Sequence, residues 1–172
     1  MKPLVALPAL ALLALAACVP QAETPEQAQA RMDTESAAAR TAIDSLAPEF
    51  ASHVNQGHAD VVAGFYAENA VVMPPNAPTA SGRAAIQAAW AEFISMKPQL
   101  TITPQSVVAN GPMAVERGVY SMSFTPPGAT APMTDTGKYL VHWRLLDGKW
   151  VIVDDIWNSD LPAVPPPPAP KP

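Results

Sequence analysis

The strongest constraint on the fold is a change of hydrophobic period at Lys97-Pro98. Before it, apolar residues recur at three- and four-residue intervals; after it, they alternate. Helices first and strands second make an α+β chain, because the helices can bury their apolar stripes only by covering one face of the sheet. Over Asp33 to Gln56, the residues Ile43, Leu46, Phe50 and Val54 form one helical stripe. Pro48 is expected to kink or divide that helix, and Gly57 ends it. Ala59 to Tyr66 reads as a second, short helix. Ala70 to Met73 reads as a strand stopped by Pro74-Pro75. Ser81-Gly82 opens a third helix in which Ile86, Trp90 and Phe93 share a face. Four strands follow: Leu100 to Ala109, Met113 to Phe124, Met133 to Leu146 and Lys149 to Asn158. Asn110-Gly111 and Asp147-Gly148 are hairpin turns, and Pro126-Pro127-Gly128 marks a longer one. The expected architecture is three N-terminal helices packed on a curved antiparallel sheet, a cone-shaped roll.

The two ends read differently. Residues 1–17 carry Lys2 and then a nearly unbroken apolar run from Leu4 to Ala17, the pattern of a secretory signal peptide. Leu15-Ala16-Ala17-Cys18 resembles the lipobox of bacterial lipoproteins. That resemblance implies diacylglyceryl transfer to Cys18, cleavage before it and acylation of the new amine. Several acyl chains at roughly 0.8 kcal/mol per buried CH₂ make a lasting anchor. The expected location is therefore the bacterial cell envelope, lipid-anchored and facing the periplasm, with the membrane as a partner. Residues 18–32 read as a lipidated tether, although Thr24-Pro25-Glu26-Gln27 has the form of a capped helix start. Residues 161–172 hold seven prolines and read as a disordered, polyproline-like tail. The folded domain is expected at 33–160.

Charge and cysteine content remove several function classes. The chain has 10 Lys+Arg and 15 Asp+Glu, a net charge of −5, with no clustered cations to bind nucleic acid. A single cysteine leaves no disulfide framework and no multi-cysteine zinc site. His53 and His58 are five apart, the wrong spacing for one helix face, so no metal site is expected. His142 is expected on the outer face of the sheet. No glycine-rich phosphate loop or other cofactor signature is present, and no cofactor is expected.

The order of elements resembles the nuclear transport factor 2-like superfamily, which includes ketosteroid isomerases and SnoaL-like polyketide cyclases. The resemblance rests on Phe65-Tyr66-Ala67-Glu68-Asn69-Ala70-Val71-Val72-Met73-Pro74 and Ser81-Gly82-Arg83-Ala84-Ala85-Ile86. It continues in Gly137-Lys138-Tyr139-Leu140-Val141-His142-Trp143 and Asp147-Gly148-Lys149-Trp150. It implies a cystatin-like cone enclosing a mostly apolar pocket. The positions that carry the base, the oxyanion-hole tyrosine and the protonated aspartate of ketosteroid isomerases hold Met73, Phe50 and Val141 here. Proton abstraction beside a carbonyl needs a base and a donor to the enolate oxygen, and these three residues supply neither.

The expected pocket wall combines Phe50, Met73 and Trp90 with Tyr139, Val141 and Trp143 and with Asp155 and Trp157 of the last strand. Asp155 and Glu116 are the candidate acid/base groups. Neighbours along a strand point to opposite faces, so Glu116 and Arg117 cannot pair with each other, and only one of Asp154 and Asp155 can face the helices. A two-residue Asp147-Gly148 turn would set Val141 opposite Asp154. A three-residue loop with Gly148 left-handed at a bulge would set Val141 opposite Val153 and Tyr139 opposite Asp155. The family resemblance favours the second register, which adds Val153 to the wall and turns Asp155 and Trp157 inward. An inward Asp155 either orients a ligand or is a structural carboxylate bonded to Tyr139 or a backbone N–H. The functional expectation is an envelope protein that binds a small hydrophobic ligand or a protein partner. The alternatives are an acid/base enzyme of isomerase, cyclase or hydratase type and a homodimerisation domain.

Overall fold

A computed structural model describes residues 22–162. The expected signal peptide, Cys18 and the tail beyond Pro162 lie outside the described residues. Helix α1 (Pro25–Gln56) opens on a capping box: Thr24 Oγ1 accepts from the Gln27 amide and the Gln27 side chain accepts from the Thr24 amide. The capped start was visible in the sequence, and the helix begins there rather than at Asp33, so residues 25–32 are helical. Pro48 does not divide α1. The proline lies on the exposed side, where water can serve the Asp44 carbonyl that its missing N–H leaves unpaired.

Helix α2 (Ala59–Gly64) is followed by strand β1 (Tyr66–Met73), so Tyr66 opens a strand instead of closing a helix. A two-residue strand β2 (Ala80–Ser81) precedes helix α3 (Arg83–Ser95). Strands β3 (Gln99–Asn110), β4 (Met113–Phe124), β5 (Met133–Leu146) and β6 (Lys149–Ser159) follow at the expected places. The sheet has six strands in the order β2-β1-β6-β5-β4-β3. It is mixed rather than purely antiparallel, because β1 runs parallel to β6. Helices α1 and α3 lock onto its inner face through Ile43 and Ile86, each 0% exposed and worth roughly 2 kcal/mol of burial.

Helix α1 also covers the free edge of the sheet. Its Asn55 exchanges two hydrogen bonds with the backbone of Leu100, at 2.6 and 3.0 Å. Ser36 accepts from the Ala109 amide at 2.9 Å, and Arg40 donates to the Gln105 carbonyl at 2.9 Å. Backbone groups of β3 that would otherwise invite another strand are thereby occupied.

The β5–β6 hairpin differs from both expected registers. Asp147 and Gly148 form a two-residue turn with positive φ at both positions (50° and 77°), and Leu146 pairs with Lys149. Gly148 is left-handed as expected, but in this turn and not at a bulge. The register shift comes later, between Trp143↔Ile152 and His142↔Asp154, where Val153 has no partner. Val141 therefore faces Asp155, and Tyr139 faces Trp157. Asp155 and Trp157 point inward as expected. Val153 gives up its place on the wall to Ile152, which is 3% exposed.

Candidate functional site

The inner face of the sheet and helices α1 and α3 enclose a cavity of about 630 Å³. Alternation on β4 turns Glu116, Gly118 and Tyr120 inward, and alternation on β5 does the same for Asp135, Gly137, Tyr139, Val141 and Trp143. Phe50, Trp90, Tyr139, Val141, Trp143, Asp155 and Trp157 line the cavity together, as the sequence reading placed them. Met73 does not. Its neighbour Val72 faces the cavity, and Met73 lies on the other face of β1, paired with Ile156. The period of two moves the wall by one residue here.

Asp155 is 7% exposed and takes one hydrogen bond, from the Tyr66 hydroxyl to Oδ2 at 2.7 Å. The Trp90 indole N–H in turn donates to the Tyr66 hydroxyl oxygen at 3.2 Å. The partner is thus Tyr66, on β1, and not Tyr139 or a backbone amide. Oδ1 of Asp155 has no partner among the described residues and, unlike a fully buried unpaired atom, keeps access to the cavity that Asp155 lines. Burial pushes the Asp155 carboxyl up to about 6, against the opposing pull of the Tyr66 hydrogen bond. The same burial and the adjacent carboxylate hold the Tyr66 phenol well above its ordinary value.

Glu116 is 1% exposed, and both of its oxygens are taken. Tyr139 donates to Oε1 at 2.5 Å and Trp143 donates to Oε2 at 2.9 Å. Burial raises its pKa, while the two donors pull the other way. Arg117 points outward and donates to Gln105 Oε1 at 2.8 Å. Tyr139 reaches Glu116 because its ring lies across Gly118, its partner on β4. Any side chain at 118 would collide with that ring and with the Thr103 carbonyl.

The same device recurs two pairings along the β4–β5 ladder. Tyr120 lies across Gly137 and donates to Asp135 Oδ2 at 2.9 Å, also in the cavity wall. Ser159 donates to the other oxygen, Asp135 Oδ1, at 2.5 Å. Tyr66, Tyr120 and Asp135 were not singled out from the sequence. The signal available for the last two was the spacing Tyr120…Gly137 against Gly118…Tyr139, which becomes readable only once the β4–β5 register is known.

The remaining candidates lie elsewhere. His142 is on the outer face, with Nδ1 2.9 Å from Asp154 Oδ2. The turn after α1 brings Nδ1 of His53 and Nδ1 of His58 to 3.1 Å, although their spacing keeps them off a common helix face. Among the described residues no group of three or more His, Cys, Asp or Glu side chains is arranged to hold a metal ion. No described helix is long and apolar enough to cross a membrane.

Solved structures share the fold. A ketosteroid isomerase-like protein from Erwinia carotovora atroseptica superposes with a TM-score of 0.64 at 17% identity, covering 71% of this chain and 96% of that one. An NTF2-like protein with a cystatin-like fold from Novosphingobium aromaticivorans gives 0.61 at 18% identity, covering 78% and 89%. A conserved protein from Planctomyces limnophilus gives 0.64 at 18% identity, covering 71% and 98%. No curated protein matches the chain significantly. The model of the SnoaL-like domain matches residues 47–153, from the middle of α1 through the β6 bulge and across most of the cavity wall. With more than half of its length matched in this way, the chain belongs to the SnoaL-like domain family.

Proposed function

We propose that this chain is a lipid-anchored protein of the bacterial cell envelope whose SnoaL-like domain holds a small, largely apolar molecule. The observation that carries this reading is the cavity: about 630 Å³, walled mainly by aromatic and aliphatic side chains, with one buried carboxylate oxygen left open in it. Its size and its sparse polar groups fit a site that orients a ligand by one contact and binds it by apolar burial. Native mass spectrometry of the protein purified from its source should retain a bound small molecule. The neutral dye Nile red should bind with enhanced, blue-shifted emission, and Met122→Arg, a charge in the wall, should abolish the signal. Dye emission unchanged by Met122→Arg would remove the cavity as the binding site.

Acid/base catalysis on a hydrophobic carbonyl compound is the second reading. Asp155, raised to about 6 and open at Oδ1, is the observation in its favour. Against it, Tyr66 and Tyr139, the phenols that could serve a developing enolate oxygen, already donate to carboxylates. The protein is therefore expected to leave a Δ5-3-ketosteroid unconverted, followed by the absorbance of the conjugated product. Turnover that disappears in Asp155→Asn would make the chain an enzyme.

Anchoring rests on Cys18. Cys18→Ser should abolish labelling by radioactive palmitate, and retained labelling would rule the site out. The outer sheet face carries exposed Val108, Val115, Leu140 and Ile156, an apolar surface suited to a second copy of the chain. Sedimentation of the Leu140→Glu variant tests that pairing.

A further inference from the structure

The charged groups of the cavity wall are all of one sign. Glu92, Glu116, Asp135 and Asp155 line it, and among the described residues no lysine, arginine or histidine does. Most hydrogen-bond donors of the wall, and of Tyr66 buried behind it, are also engaged. The hydroxyls of Tyr66, Tyr139 and Tyr120 donate to Asp155, Glu116 and Asp135, the Trp143 N–H donates to Glu116, and the Trp90 N–H donates to Tyr66. Beside Oδ1 of Asp155 the wall therefore presents chiefly aromatic surface, and its donors without a partner among the described residues are the Trp157 N–H and the side chains of Asn76 and Thr134. Trp157 stands two residues beyond Asp155 on the same face of β6, and its ring stacks with Trp90 at 6.2 Å and 22°.

A ligand carboxylate or phosphate placed there would meet like charges and find few free donors. A ligand hydroxyl could donate to Oδ1 but would leave a buried carboxylate without a counter-charge. An ammonium group does both: it donates to Oδ1 and neutralises it, and indole faces favour a cation over a neutral group. Among the described residues only a phenol partners Asp155, and none of those lining the cavity is a cation.

We propose that the molecule held in this cavity is a hydrophobic amine, its ammonium bound by Oδ1 of Asp155 and its apolar body packed against Trp157 and Trp90. This inference rests on the cavity being the binding site, as argued above.

The test uses three probes on one skeleton: 2-(1-naphthyl)ethylamine, 2-(1-naphthyl)ethanol and 3-(1-naphthyl)propionate. Each is titrated calorimetrically into the full chain in phospholipid nanodiscs at pH 7.5, with empty nanodiscs subtracted for partitioning. The amine should bind at least about tenfold more tightly than the alcohol, the margin of one charge-assisted hydrogen bond in a dry site. The propionate should bind weakest. Asp155→Asn should bring the amine-to-alcohol ratio to about one while leaving the alcohol within about threefold of its original affinity. Alcohol or propionate binding as tightly as the amine, or an amine preference that survives Asp155→Asn, overturns the proposal and leaves the cavity as a binding site for another class. Failure of all three to bind overturns the cavity reading and this inference with it. If Asp155→Asn does not fold, the amine-to-alcohol ratio in the unaltered chain decides alone.

Discussion

Glu116 and Asp155 are two buried carboxylates in one cavity, both displaced upward by burial, and their surroundings differ in one respect. Glu116 has a donor on each oxygen, from Tyr139 and Trp143. Asp155 has a donor on one oxygen and, among the described residues, none on the other. A carboxylate with a donor on each oxygen is part of the wall: it holds an aromatic pair in place and offers a ligand little. A carboxylate left half-answered is held at a cost to stability, a pattern typical of functional positions. The comparison separates a positioning group from a ligand-facing group where residue type and burial alone would not.

The largest effect is expected on the Glu116 side, at Gly118. An added methyl there would lie 2.6 Å from the Thr103 carbonyl oxygen and closer still to the Tyr139 hydroxyl. Gly118→Ala should cost at least about 4 kcal/mol in urea denaturation, because the obstacle includes backbone and cannot rotate away. A loss under about 1 kcal/mol would mean that Tyr139 does not need its place over the glycine. Glu116→Ala strands the Tyr139 hydroxyl and the Trp143 N–H and should cost about 3 kcal/mol, with a shift in tryptophan fluorescence.

Asp155 should show the opposite sign. Its folded pKa, about 6, lies above the ordinary 3.8. Between those values the unfolded chain has lost the proton and the native chain keeps it, so stability falls as pH rises through the window. Below it both states are protonated, and above it the loss is complete. The decline is on the order of 3 kcal/mol at most. Tyr66 and Glu116 also face Asp155, and Glu116 has its own raised pKa, so the informative quantity is the difference between Asp155→Asn and the unaltered chain. That difference should be near zero at pH 4 and should favour Asp155→Asn at pH 7. A variant less stable at pH 7 would place Asp155 with Glu116 among the positioning groups. Asp154 is the smallest case. It pairs with His142 on the outer face, half-exposed, and Asp154→Ala should change stability by less than about 1 kcal/mol.

Much of this frame was readable without coordinates. The β3–β4 turn falls one residue later than expected, at Gly111-Pro112, with Asn110 paired to Met113 and positive φ at Gly111. Asp147-Gly148 dictates its hairpin because Asp and Gly accept positive φ at little steric cost, and the period-two pattern dictates strands. These are local effects of backbone sterics and residue polarity, so strands β4 and β5 appear where expected, residue for residue. The capping box at Thr24 was readable on the same grounds. Tyr66 was not. Its place at the head of β1 depends on a parallel partner, β6, more than eighty residues away, and nothing in its neighbours distinguishes a helix end from a strand start.

The sequence by itself determined the α+β class, the strand series, the apolar character of the wall and the inward turn of Asp155. Each follows from local periodicity joined to the family resemblance. Tertiary structure alone decided the register that delivers Asp155. The two-residue turn would have set Asp154 opposite Val141, and the unpaired Val153 moves Asp155 into that place. It also decided which phenol meets which carboxylate, because those pairs join residues 15 to 89 positions apart. The physical reason is that a bulge, a glycine beneath an aromatic ring and a half-satisfied carboxylate are properties of strands already packed together, fixed by what lies opposite each residue rather than by what lies beside it in the chain.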